Sequence, residues 1–326
     1  MQGRAYIYRT ACLLAPALIA APTWANGDEP TATSALTPLE TIAPTLNEPL
    51  TKVLRLQNQR DQRFSVPVMI DERGPFRFMI DTGSQATAVS REVSSALGLV
   101  HAGRVNLLGM ASLKQVDMAA INRLTVGRHH IDDISAPVLE RDNIGADGII
   151  GLDALQDFRV LIDFRTPSMA MQDMRGVRRP DAGFEIVVRA QPKMGQLLIT
   201  NALVEGIRTT VIIDTGAETS MANPVLRDKL RRKRESEIVT TDVNGVDLIG
   251  HVAVVRSLKL ASLNISNVPL AFADSPVFAA LGLAEKPALA LGMQHLKLFN
   301  RVAIDFASNK LLFDVPKSAE RTIPSF

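Results

Sequence analysis

The chain has 326 residues, with 36 Lys and Arg against 34 Asp and Glu, one Cys and one Trp. That length allows about two domains, and a composition of 46% hydrophobic and 21% charged residues excludes wholesale disorder. The rare residues are unevenly placed: Tyr6, Tyr8, Cys12 and Trp24 cluster at the start of the chain, beside Arg4 and Arg9 and no acid.

Arg4 and Arg9 form a positive n-region, and residues 11–22 (ACLLAPALIAAP) an apolar h-region. Thr23-Trp24-Ala25 fits a small-residue cleavage site. This is the pattern of a secretory signal peptide over residues 1–25, with an uncleaved anchor as the alternative. The apolar stretch is short for a membrane span, and no later run approaches that length. Removing residues 1–25 takes two positive charges with it, so the net charge falls from +2 to zero. It also removes every Cys, Trp and Tyr. A neutral chain gives no general reason to expect nucleic acid as a partner. Without cysteine there are no disulfides, thiol nucleophiles or thiolate metal sites. Export with no second address points to the periplasm of a Gram-negative cell. Residues 26–50, rich in Pro, Thr, Ala and acid, read as a flexible tether or pro-segment. A short helix is expected within residues 50–63.

The remainder is one pattern written twice. FRFMIDTGS at 76–84 lies over TTVIIDTGA at 209–217. Each is preceded by a turn, at Glu72-Arg73-Gly74 and at Val204-Glu205-Gly206, and by an apolar run, VPVMI at 66–70 and LLIT at 197–200. Each half therefore opens with a hairpin whose second strand ends in Asp-Thr-Gly. Downstream, residues 121–127 resemble 255–261. GIIGLDAL at 148–155 resembles ALGMQHL at 290–296, and FRVLIDF at 158–164 resembles FNRVAIDF at 299–306. The offset is 133 at the aspartates and 142 at Asp163 and Asp305. Landmarks kept in one order with so little drift argue for an internal duplication.

Short apolar strands and Gly or Pro turns dominate both halves. Helical signals are confined to residues 90–98, 224–234 and the turns after Gly151 and Gly292. The expected class is mainly β, two similar barrel lobes related by pseudo-twofold symmetry. The expected lobes are residues 51–176 and 177–326, since RGVRRP at 175–180 breaks the apolar pattern.

A carboxylate directly after several apolar residues sits at the end of a buried strand. Thr and Gly then turn the chain, and Gly lets backbone N–H groups approach the carboxylate. One such turn is weak evidence, because Asp is a common turn former. A pseudo-twofold changes this, because it can bring Asp81 and Asp214 together across the axis. Two carboxylates in contact share one proton and titrate as a coupled pair. The ionised partner can take a proton from water while the protonated one donates to a carbonyl oxygen. That is amide hydrolysis without a covalent intermediate or cofactor.

Both halves resemble retropepsin-like aspartic protease units, over about residues 65–313. The resemblance rests on the turns Asp81-Thr82-Gly83-Ser84 and Asp214-Thr215-Gly216-Ala217. It rests also on the later elements Ile149-Ile150-Gly151 and Ala290-Leu291-Gly292. It implies Asp81 and Asp214 as the catalytic pair. Thr82 and Thr215 would brace the turns across the axis, and Gly83 and Gly216 would fit the turns themselves. The substrate would be a peptide or protein, and one chain would supply both halves. A mature chain without tyrosine lacks the pepsin-type flap tyrosine, which favours the retroviral type. The regions matching retroviral flaps are residues 108–112, with Gly109 and Met110, and 243–246, with Asn244 and Gly245.

Other signals are read as structural. Arg231-Arg232-Lys233-Arg234 is a solvated helix end, followed by Glu235 and Glu237. His129-His130 and Asp132-Asp133 form a polar turn without further ligands at metal-binding spacing. Asp163 and Asp305 follow apolar strands but lack Thr-Gly, which gives them turn roles. No G-x-S-x-G or H-E-x-x-H pattern occurs, so serine-hydrolase and zinc-peptidase readings lack a motif. The leading expectation is an exported aspartic endopeptidase. The alternative is a non-catalytic periplasmic peptide-binding module on the same fold. The assembly is either a monomeric pseudo-dimer or a swapped homodimer.

Overall fold

A computed structural model describes residues 54–55, 57–58 and 64–316, apart from 175–176, 178–180 and 232–233. The expected signal peptide and tether lie outside the described residues.

Strands Phe64–Ile70 and Arg73–Ile80 form the opening hairpin. Val66, Val68 and Ile70 are buried while Pro67 is exposed, the period-two pattern of a strand with one face on a core. Gly148–Ile150 runs parallel to the second strand, with Ile80 opposite Ile150. Ala88–Ser90 lies on its other side, followed by His129–Leu139 and Leu113–Val126. The last of these pairs back onto the first strand, Val126 opposite Val68, so six strands close a barrel. Val100–Leu108 extends the sheet as a hairpin with Leu113–Val126, and its tip is residues 109–112.

The second lobe repeats the scheme. Gln196–Val204 and Ile207–Ile213 form the hairpin, and Ala288–Leu291 runs parallel to the latter. Met221–Ala222, Leu263–Phe272 and Asp247–Leu260 complete the circuit, which closes with Val204 opposite Leu258. Ser236–Thr241 extends this sheet, and its hairpin tip is residues 242–246. The two-lobe, mainly-β architecture expected from the repeat is the one observed.

A third sheet of six strands joins the lobes. At its centre Arg159–Asp163 pairs antiparallel with Arg301–Asp305, Leu161 opposite Ala303. These are repeat-equivalent strands, so the pseudo-twofold passes between them. Outward lie Ser168–Gln172 on one side, and Lys310–Asp314 followed by Ile186–Arg189 on the other. Arg159 is buried and donates to Asp305 Oδ2 from Nε at 3.1 Å and from the guanidinium end at 2.6 Å.

Two local expectations are corrected. Within residues 50–63 the described residues are strand, not helix. Leu54–Arg55 pairs with Ser168 and Met169, and Gln57–Asn58 pairs with Phe64 and Ser65. Both sheets offered an unpaired edge at those positions, and a short isolated helix has little stability to set against pairing with it. The helix expected at 224–234 ends early, as Pro224–Lys229. Leu230 turns extended, and Arg227 and Arg231 would otherwise stack like charges one turn apart. Helix Arg91–Leu97 matches its signals: the Ser90 side chain caps it at Val93 N–H, and Gly98 ends it at φ 63°.

Candidate active site

Strand Arg73–Ile80 delivers Asp81 and strand Ile207–Ile213 delivers Asp214, each at the point where a buried strand ends. The neighbouring parallel strand still holds the aspartate backbone. Asp81 N–H donates to Ile150 O at 3.0 Å, and Asp214 N–H to Leu291 O at 3.1 Å. Both carboxylates are buried. Asp81 Oδ1 accepts from Gly83 N at 2.8 Å and Ser84 N at 3.1 Å. Asp214 Oδ1 accepts from Gly216 N and Ala217 N, each at 3.1 Å. Backbone donors of this kind favour an ionised oxygen in a buried site.

The two turns are locked to each other. Thr82 N–H donates to Thr215 Oγ1 and Thr215 N–H to Thr82 Oγ1, both at 3.1 Å. Each hydroxyl passes its own proton across the axis, Thr82 Oγ1 to Ile213 O and Thr215 Oγ1 to Ile80 O, both at 2.8 Å. The glycines bring the carboxylates together. A Cβ on Gly83 would lie 2.7 Å from Asp214 Oδ1, and one on Gly216 would collide with the Asp81 carboxylate. Each carboxylate therefore rests on the backbone of the opposite turn, and any side chain at either glycine would push the pair apart.

A second layer holds each turn from behind. In the first lobe Gly151 N–H donates to Thr87 Oγ1 at 3.1 Å, and that hydroxyl donates to Asp153 Oδ1 at 2.6 Å. In the second, Gly292 N–H donates to Ser220 Oγ at 2.9 Å, and Ser220 Oγ lies 2.6 Å from His295 Nδ1. His295 is buried, and desolvation pushes its pKa down to about 4. None of these four residues was singled out from sequence. The available signal was a hydroxyl residue six positions after each aspartate, Thr87 and Ser220. Gln196 was missed as well: it is buried, and its Nε2 donates to Gly83 O at 2.9 Å.

The hairpin tips that hold Gly109 and Met110, and Asn244 and Gly245, come together above the turns. Asn244 Nδ2 donates to Ser112 Oγ at 2.9 Å across the lobes. Gly245 adopts φ 78°, which a side chain rarely tolerates.

A family model described as Aspartyl protease matches the chain twice, over residues 66–154 and 200–294. Together the two matches cover more than half of the sequence. The chain belongs to the aspartyl protease family. A comparison with curated proteins gives no match. Each matched segment contains one Asp-Thr-Gly turn and the Gly151 or Gly292 element behind it, so the internal repeat is a repeat of the aspartyl protease unit.

The remaining sequence signals sit away from the aspartyl protease turns. Asp163 Oδ1 accepts from Arg165 N at 2.9 Å and Thr166 N at 3.3 Å, and Asp305 Oδ1 accepts from Ser308 N at 2.9 Å. His129 Nε2 lies 3.2 Å from Met171 O, and His130 Nδ1 lies 2.9 Å from Thr125 Oγ1. No group of three metal-ligating side chains occurs among the described residues. Arg227 is paired with Glu235, while Arg232 and Lys233 lie outside the described residues.

Proposed function

We propose that this chain is an aspartic endopeptidase that hydrolyses peptide bonds through one water held between Asp81 and Asp214. The observation that carries this reading is the reciprocal seating of each carboxylate against the glycine of the opposite Asp-Thr-Gly turn. Two buried carboxylates so placed cannot both ionise cheaply, so the pair holds one proton. The ionised partner removes a proton from water as the water attacks the peptide carbonyl. The protonated partner donates to the carbonyl oxygen; the carboxyl that took the water proton then gives it to the amide nitrogen as the C–N bond breaks, and the other carboxylate recovers a proton from the gem-diol hydroxyl. Thr82 and Thr215 keep the turns from separating as the charge moves between them. No metal or cofactor enters these steps.

The peptide would lie extended between the lobes, under the tips carrying Gly109, Met110, Asn244 and Gly245, and would bond to them through its backbone. One chain acts as its own pseudo-dimer, a reading supported by the antiparallel pairing of strands 159–163 and 301–305. Periplasmic export follows from the pattern of residues 1–25. Measuring mass in solution distinguishes the monomer from a swapped dimer.

The decisive test is a cleavage map of a peptide library across acid to neutral pH, with Asp81→Asn and Asp214→Asn as controls. Each variant is expected to lose at least about a hundredfold in rate, the low end for removing a general acid or base, while keeping its fold by circular dichroism. Normal cleavage by both variants would sink the proposal. Binding by the wild type with no cleavage at any pH would support a peptide-binding module instead.

A further inference from the structure

Beside the Asn244 to Ser112 bond, a buried carboxylate joins the two hairpin tips. Asp242 is fully buried. Its Oδ2 accepts from Ala111 N at 3.1 Å and from Ser112 Oγ at 2.7 Å, both on the other lobe's tip. Its Oδ1 accepts from Asn244 N at 2.9 Å and Val246 N at 3.0 Å, which shapes its own tip. Gly109 packs so closely on Asp242 that a Cβ there would collide with it. Ser275 Oγ adds a bond to Met110 O at 2.8 Å. A buried carboxylate held by four donors from two lobes is a latch: each bond is charge-assisted and shielded from water.

Below the latch, Met110 is buried and fills the space beside the dyad. With Asp214, Gly83, Ile212, Met221 and Phe278 it lines a cavity of about 20 Å³. That volume accepts roughly one water and no amino-acid side chain. Ser275 Oγ sits 3.9 Å from Met110 Sδ, so the thioether is turned into this cavity wall. The cavity also carries an unmet demand. Gln196 lines it, and Gln196 Oε1 is buried with no hydrogen-bond partner. A buried acceptor in that condition calls for a donor.

We infer that Met110 is a built-in occupant of the substrate side-chain pocket beside Asp214, locked in place by the Asp242 latch. The inference rests on the endopeptidase reading for the word substrate, but not for the latch or the pocket. A peptide enters when the latch opens. Its large apolar side chain replaces Met110 against Ile212, Met221 and Phe278, and a main-chain N–H meets Gln196 Oε1. Leu, Met or Phe suits those walls, while an anionic side chain would face Asp214 and the Gln196 Oε1 acceptor with no donor to pair it. The closed protein thus discriminates among peptides before any bond is broken, because only a suitable side chain offsets the loss of Met110 from its pocket.

Two measurements on the full chain test this without relying on cleavage. The first is hydrogen exchange in wild type and Asp242→Ala. Exchange at residues 105–115 and 240–248 should accelerate at least about tenfold, the population shift expected when a differential of about 1.4 kcal/mol is removed. The barrel strands 64–70 and 196–204 should keep wild-type rates. Unchanged exchange at the tips overturns the latch. Should Asp242→Ala loosen the whole chain, Ser112→Ala removes the hydroxyl's bonds to Asp242 and Asn244 while leaving the carboxylate in place, and carries the same test.

The second measurement uses fluorescein-labelled, end-blocked hexapeptides with a central Phe or a central Asp. They are titrated in the Asp81→Asn background so that the probe survives. Met110→Ala should bind the Phe peptide about tenfold tighter by emptying the pocket, and should leave the Asp peptide unchanged. Equal or weaker binding of both overturns the inference. If these results appear and the wild type cleaves nothing, the occupant and latch stand while the endopeptidase reading falls.

Discussion

The two lobes share a frame but differ in what stands behind each aspartate. Both use a hydroxyl six residues on, Thr87 or Ser220, to receive the N–H of Gly151 or Gly292. Behind Thr87 is the carboxylate of Asp153, which also accepts from Thr87 N. Behind Ser220 is the imidazole of buried His295. Asp153 accepts from both the N–H and the hydroxyl of Thr87. The imidazole is held neutral because its surroundings exclude the charged form. Duplication kept the geometry of the support and let its chemistry diverge, so the lobes should respond differently to acid.

The largest effect is expected where the repeat-equivalent aspartates of the joining sheet diverge. Asp305 is buried on Arg159, whereas Asp163 pairs with the half-exposed Arg165. Asp305→Ala should cost about 3–4 kcal/mol by removing the fully buried carboxylate from the Arg159 guanidinium, which keeps Asp181 at 3.6 Å, and Asp163→Ala about 1 kcal/mol or less. Urea denaturation of the two variants measures this, and equal losses would show that the sheet does not distinguish its two halves.

Next in size is the pH response of the second lobe. His295 has a folded pKa near 4 against an ordinary value of 6.5. The unfolded chain therefore binds the extra proton first as the pH falls. The full stability is present above about pH 6.5 and declines toward pH 4, by roughly 3 kcal/mol over that window. Denaturation midpoints at pH 7 and pH 4.5 should show this slope in the wild type and a shallower one in His295→Gln. An identical slope in both would locate the acid sensitivity elsewhere.

The smallest contrast concerns the hydroxyls themselves. Ser220→Ala strands both Gly292 N–H and His295 Nδ1, and should cost about 2 kcal/mol. Thr87→Val strands Gly151 N–H but leaves Asp153 bonded by the backbone N–H of residue 87, and should cost about 1 kcal/mol. Thermal melts compare the pair, and a larger loss for Thr87→Val would reverse the ranking of the two supports.

What the sequence disclosed, it disclosed through repetition. The Asp-Thr-Gly turns, the hairpins before them and the Gly151 and Gly292 elements are contiguous strings, and each lobe confirms the reading of the other. Helix Arg91–Leu97 was legible because Ser90 and Gly98 are local caps. The missing parts depend on partners far away in the chain. Nothing near Asp242 announces that Ser112, 130 residues earlier, donates to it. Gln196 reads as an ordinary strand residue until Gly83 is set beside it. Residues 54–55 and 57–58 took strand form because two sheet edges stood open. His295 has no histidine at the matching position of the first lobe, so comparing the repeats hides it.

The joining sheet also carries a consequence for how the chain is made. Strand Arg159–Asp163 waits for Arg301–Asp305, and Ile186–Arg189 waits for Lys310–Asp314. Such long-range pairings are slow to form, since a large loop must close before any bond rewards it. Until then Arg159–Asp163 presents an open edge, with Val160 and Ile162 unburied beside it. The first lobe can therefore be complete as a barrel and still be adhesive. A chaperone that shields residues 159–163 until the last strands emerge would raise the yield of folded protein, and a chain halted before Arg301 should aggregate rather than accumulate as a half-molecule.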